Sequence, residues 1–139
     1  ITFTKAFKSI SEPYALRKKS TMKLQSLDDR TEVIRFDDNK KLLFFWKTDC
    51  EPCLEQLDSI VRYQNNINAD IYLISFEPHD RIKSIMQNKY QELKIYTSKE
   101  DKLLFGRNID FYPTVLVTDN DSIVDFGVGD ISWREVVIK

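Results

Sequence analysis

Two cysteines separated by two residues, Cys50-Glu51-Pro52-Cys53, are the most reactive side chains of this sequence and its only cysteines. Two thiols at that spacing can close a short disulfide without moving the backbone. At a strand-to-helix junction, the helix amino terminus also favours a thiolate on the first sulfur. A thiolate attacks a disulfide through a mixed-disulfide intermediate, which a second nearby thiol resolves. Pro52 suits a first helical turn, where its missing amide hydrogen has no helical partner to lose. The motif points to dithiol–disulfide exchange, with Cys50 attacking and Cys53 resolving. The bland alternative, a packing pair or plain structural disulfide, fits less well, because two helix-start cysteines around a proline are an odd choice for packing.

The rest of the composition narrows the chemistry. With 139 residues, 42% hydrophobic and 31% charged, the chain reads as one globular domain. Its three glycines, Gly106, Gly127 and Gly129, exclude a glycine-rich phosphate loop. The single histidine, His79, excludes a multi-histidine metal site, and two cysteines exclude a zinc ribbon. Cys50, Cys53 and His79 would need a fourth ligand to hold copper or zinc, so neither a metal nor a cofactor is expected. A net charge of −1 gives no reason to expect nucleic acid as a partner. Residues 1–23 carry +5, leaving −6 for the remainder. This basic arm is expected to be a solvated terminus, with proximity to an anionic membrane surface as the alternative. The chain begins at Ile1 rather than methionine, so a processed or truncated form is expected, with a removed leader or anchor as one alternative.

The elements that must position the cysteines follow from periodicity. Residues 1–21, with Pro13, show no clean period and are expected to form an irregular arm or short helix. Alternation in Met22–Leu27 and Glu32–Phe36, around Asp28-Asp29-Arg30, predicts a β-hairpin. Leu42–Trp46, apolar at every position, predicts a central strand covered on both faces. Cys53, Leu54, Leu57, Ile60 and Val61 recur at helical spacing from Pro52 to about Gln64. A second buried strand is predicted at Ile71–Phe76, a helix from His79 to about Tyr90, a short strand at Leu93–Tyr96 and a short helix at Lys99–Phe105. Pro113 opens Thr114–Thr118, which Asp119-Asn120-Asp121 turns into Ser122–Phe126. Ser132-Trp133-Arg134-Glu135 has a capping-box pattern and predicts a terminal helix. Residues 22–139 then form one α/β domain after the 1–21 arm.

The stretch Phe45-Trp46-Lys47-Thr48-Asp49-Cys50-Glu51-Pro52-Cys53, following an apolar strand, resembles the active-site segment of the thioredoxin superfamily. The glutamate inside the CxxC and the hairpin before it are most similar to the bacterial, membrane-associated TlpA/ResA-type thiol-disulfide oxidoreductases. Tyr112-Pro113-Thr114 matches the position where that superfamily holds a cis-proline facing the cysteines. The resemblance implies a three-layer thioredoxin-like fold, a central mixed sheet with helices on both faces, plus the amino-terminal β-hairpin. It further implies an enzyme exchanging disulfides with protein substrates, fed by an upstream redox partner and working outside the cytoplasm. A cytoplasmic location is the alternative. Pro113 would shape the substrate groove, and the Tyr112 backbone would offer strand-like contacts. Trp46 and Phe111 or Tyr112 are candidates for an apolar rim, although core is the favoured place for isolated aromatics, with Tyr112 evenly balanced beside the proline.

Three departures from the family pattern carry expectations. Asp49 stands where relatives have tryptophan and is expected to cap the active-site helix. Asp49 and Glu51 flank Cys50 with negative charge against Lys47, which disfavours the thiolate and points to a reductant. Gln56 replaces the glutamate common three residues after the second cysteine, so no proton relay is expected there, and Glu55 falls on another helical face. Phe44 occupies the place of the buried aspartate of cytoplasmic thioredoxins. Glu77 and His79, after the 71–76 strand, are candidates for moving protons to Cys53, although a solvated loop is the favoured reading. The competing functional class is a thioredoxin-like module that binds without catalysis, as a metal carrier or assembly adaptor.

Overall fold

The computed structural model describes residues 8–15, 21–86, 88–90, 93–99 and 109–129, the first segment by its backbone alone. Among the described residues eight strands form one sheet: β1 (Lys8–Ala15), β2 (Thr21–Ser26), β3 (Thr31–Arg35), β4 (Lys41–Phe45), β5 (Asp70–Ser75), β6 (Ile95–Thr97), β7 (Thr114–Asp119) and β8 (Ser122–Val128). Their order across the sheet is β1-β8-β7-β4-β5-β6-β2-β3. The pairs β4–β5 and β5–β6 are parallel, and all other pairs are antiparallel, so the sheet is mixed. Helix α1 (Glu51–Tyr63) connects β4 to β5, and α2 (His79–Met86) connects β5 to β6.

Strand β4 lies in the interior of the sheet, and all five of its residues are buried. Alternation sends Leu42 and Phe44 to one face and Leu43 and Phe45 to the other. On the first face they meet Cys53, Leu57 and Ile60 of α1, Ile82 and Met86 of α2, Leu73 and Val115. On the second they meet Met22, Leu24, Ile34, Phe36, Ile74, Leu116 and Ile123. The buried α1 positions at i, i+4 and i+7 form the stripe that docks this helix onto the sheet. Both described helices therefore cover the same face, while the helices expected at 99–105 and from Ser132 lie outside the described residues.

The hairpin expected at 22–36 forms, closed by Ser26 and Arg30 with Asp29 at φ 67°. Aspartate tolerates that left-handed conformation better than most residues. The β7–β8 turn likewise has positive φ at Asn120 and Asp121, 50° and 64°, which suits the right-handed twist of the two strands. Its amides donate to Asp38 and Phe36 carbonyls, docking the turn against the segment that leads from β3 to β4.

The irregular arm or short helix expected within residues 1–21 is corrected at Lys8–Ala15, which pairs antiparallel with β8. Pro13 argues against regular structure in the sequence, but β1 is an edge strand whose register shifts between Ser9 and Tyr14. Edges and bulges are where a sheet tolerates proline.

Candidate active site

The CxxC lies where β4 gives way to α1. A turn over Lys47–Cys50, closed by the Cys50 amide donating to the Lys47 carbonyl at 3.4 Å, swings the chain off the sheet end. Cys50 is the N-cap of α1, with φ −108° and ψ 103°, and Pro52 falls in the first turn. Its Sγ accepts from the Cys53 amide at 3.2 Å. Cys50 and Cys53 are joined as a disulfide with Cα atoms 5.2 Å apart. Cys50 is half-buried, whereas Cys53 is wholly buried and belongs to the core around Phe44, Trp46 and Leu57. One sulfur is thus offered to a partner and the other shielded.

Asp49 does not cap the helix as expected. It lies one residue before the cap, exposed, and the cysteine sulfur takes the role assigned to the carboxylate. Both groups can accept a backbone hydrogen, so residue preference alone does not separate them. Glu51, Pro52 and Glu55 are exposed on the first turns, and Gln56 is buried against the core.

Trp46 takes the core reading and not the rim. It continues the inward series Leu42, Phe44 and is completely buried, its Nε1 without a hydrogen-bond partner among the described residues. Phe111 is the exposed aromatic instead, at 65%. Tyr112 is half-buried, its hydroxyl donating to the Ile109 carbonyl at 3.2 Å and Lys47 Nζ standing 4.7 Å above its ring. Burial, reinforced by the Asp110 and Glu77 carboxylates, raises the Tyr112 phenol above its ordinary pKa. The Tyr112–Pro113 peptide bond is cis. Pro113 is buried, and its carbonyl accepts from Gly129 at 2.9 Å, a glycine at φ 84°.

Glu77 and His79 follow β5, but neither is poised as a proton carrier to Cys53. The Glu77 carboxylate accepts from the Thr48 amide at 2.8 Å, the Thr48 hydroxyl at 2.7 Å and the Ser75 hydroxyl at 3.0 Å. His79 opens α2, with Nδ1 2.7 Å from Thr97 Oγ1 and Nε2 2.9 Å from Asp29 Oδ1. Both ring nitrogens are committed away from the cysteines. Among the described residues no three histidine, cysteine or acidic side chains converge as metal ligands do. The Glu77–Thr48 pairing is absent from the sequence reading, although the parallel register of β4 and β5 carries its signal, since it brings the residues after both strands to one sheet end.

No protein-family model and no curated protein matches the sequence. Solved structures do match. A DsbF homologue from Corynebacterium diphtheriae superposes with a TM-score of 0.71 at 14% identity, covering 96% of this chain and 90% of that one. A secreted thiol-disulfide isomerase from Corynebacterium glutamicum gives 0.71 at 14% identity, covering 96% and 89%. The exposed lipoprotein thioredoxin Etrx1 of Streptococcus pneumoniae gives 0.67 at 20% identity, covering 82% and 93%. At these identities the likeness is one of fold. The chain has a thioredoxin-like fold, with a CxxC disulfide at the amino end of the helix that follows its interior strand.

Proposed function

We propose that this protein is a thiol-disulfide oxidoreductase that acts on protein substrates through Cys50 and Cys53. The observation that carries the reading is the asymmetry of the pair: a half-buried sulfur capping a helix, bonded to a sulfur with no exposure. In the reduced protein, the Cys50 thiolate attacks a substrate disulfide, forming a Cys50–substrate disulfide and expelling one substrate thiolate. The Cys53 thiolate then attacks Cys50 Sγ, closing the internal disulfide and expelling the second. Two electrons pass to the substrate, and the expelled thiolates take up protons. A separate dithiol donor restores the reduced pair, and no cofactor takes part.

Pro113 and the Tyr112 backbone form one wall of the substrate groove and offer an extended segment strand-like contacts. The exposed carboxylates of Asp49 and Glu51 disfavour the Cys50 thiolate, which destabilises the reduced form and makes the protein a reductant. The fold neighbours described as an exposed lipoprotein and a secreted isomerase support a site of action outside the cytoplasm.

The test is reduction of insulin by the pre-reduced protein. Wild type is expected to precipitate the insulin chains, Cys50→Ser to be inactive, and Cys53→Ser to accumulate covalent mixed disulfides. Intact insulin disulfides after incubation with the reduced wild type would remove the reading. A reduction potential near about −120 mV, the scale of a strong oxidant, would reverse its direction.

A further inference from the structure

Glu77 makes contacts for which the exchange itself has no use. Its side chain is only 15% exposed, at the end of β5, and four donors converge on its two oxygens. Thr48 supplies its amide and its hydroxyl, Ser75 its hydroxyl, and Arg81 Nε approaches to 3.4 Å. The Glu77 amide donates back to Ser75 Oγ at 3.1 Å, and Ser75 is wholly buried. The carboxylate is thereby fixed to the rigid end of an inner strand. An ionised carboxylate is acceptor-only and can receive all of these bonds together.

The other end of this bridge is the turn that delivers Cys50. Thr48 lies two residues before the cap, in a segment whose own closing bond, Cys50 amide to Lys47 carbonyl, is long at 3.4 Å. We propose that Glu77 is the positioning residue for Cys50, tethering the Lys47–Asp49 turn to β5 so that the attacking sulfur stays at the helix N-cap. The proposal rests on Cys50 being the attacking thiol. Charge and tether act on that thiol with opposite signs. A nearby carboxylate disfavours the thiolate, whereas holding Cys50 over the helix amino terminus favours it. Glu77→Gln removes the charge but keeps an oxygen for the Thr48 amide and a polar group for its hydroxyl. Glu77→Ala removes both.

The experiment follows alkylation of the reduced protein by iodoacetamide against pH, with circular dichroism to confirm folding. Because Cys53 is buried, the reaction reads Cys50. In Glu77→Ala the rate at neutral pH is expected to fall about tenfold, a fraction of what two hydrogen bonds to a charged group contribute, and the pH midpoint to rise. Glu77→Gln should restore most of the rate, with its midpoint at or below that of wild type. Thr48→Val, which keeps the amide bond and loses the hydroxyl, should fall about threefold. A Glu77→Ala rate and profile matching wild type would overturn the tether, as would a Glu77→Gln defect equal to that of alanine. If the alanine variant does not fold, a Thr48→Val protein identical to wild type overturns it. Alkylation reads Cys50 whether or not the protein reduces insulin, so failure of the proposed activity and failure of the tether give different results.

Discussion

Lys47 Nζ rests 4.7 Å above the centre of the Tyr112 ring, joining the turn that precedes Cys50 to the segment that precedes Pro113. Two stretches far apart in sequence thus meet through a cation and an aromatic face. Such a contact contributes about 0.5–1 kcal/mol at an exposed site. Lys47→Met, which keeps the aliphatic stem but loses the cation, is expected to lower kcat/KM for insulin reduction by about two- to fivefold. Lys47→Arg should retain the contact and most of the activity, and a Met variant as active as wild type would show that the contact has no part in the exchange.

On the proposed reading, the acidic flanks of Cys50 set the direction of the exchange. Asp49 and Glu51 are both exposed, so each acts through water, at about 1 kcal/mol for charges 4 Å apart. Asp49→Asn with Glu51→Gln should favour the thiolate and stabilise the reduced form. Equilibration against glutathione is then expected to place the double variant about 10–30 mV above wild type, with about 30 mV corresponding to 1.4 kcal/mol. The difference should shrink as salt is added. A shift to lower potential would contradict this account.

Leu57 lies in the stripe that seats α1 on β4, with no exposed surface, next to Cys53. Leu57→Ala leaves a cavity beneath the disulfide, and a loss of about 2–5 kcal/mol is expected. Urea unfolding of the oxidised protein checks it, as a lowered midpoint at unchanged slope.

Asp29 ties the β2–β3 turn to α2 through Lys83 and His79. Their hydrogen bonds, that of Lys83 foremost, hold the Asp29 carboxyl below its ordinary value of 3.8. A depressed folded-state pKa means the contribution to stability is complete above the unfolded value and is lost as pH falls through the folded one. Asp29→Asn keeps a residue that accepts φ 67° while removing the charge. At neutral pH the variant should unfold at lower urea than wild type, and the two midpoints should begin to converge below about pH 4 and meet only below the depressed folded value. A gap that persists unchanged into acid would assign the effect to the turn rather than the charge.

Much of this architecture is legible residue by residue. The uninterrupted apolar run of β4, the i, i+4, i+7 spacing of Cys53, Leu57 and Ile60, and the turn residues Asp119–Asp121 are local signals. Each survives into the fold because local preference and tertiary demand agree there. The misread features depend on distant partners. Lys8–Ala15 becomes a strand because β8 offers it an edge, and Pro13 conceals that in the sequence. Cys50 displaces Asp49 as the cap because the turn from Lys47 places the sulfur one residue further along. Trp46, read as core or rim, goes inward because the alternation of β4 continues one residue past Phe45. Thr48 and Glu77 meet only because β4 and β5 run parallel and end together.

The amino-terminal strand also bears on how copies of the molecule behave towards one another. Without Lys8–Ala15, the flank of Ser122–Val128 would present a row of unpaired amides and carbonyls, a template onto which another chain can add. Occupied by β1, whose register is broken around Pro13, that margin offers newcomers a poorer template. Self-recognition along the sheet is discouraged at the side away from the β2–β3 hairpin.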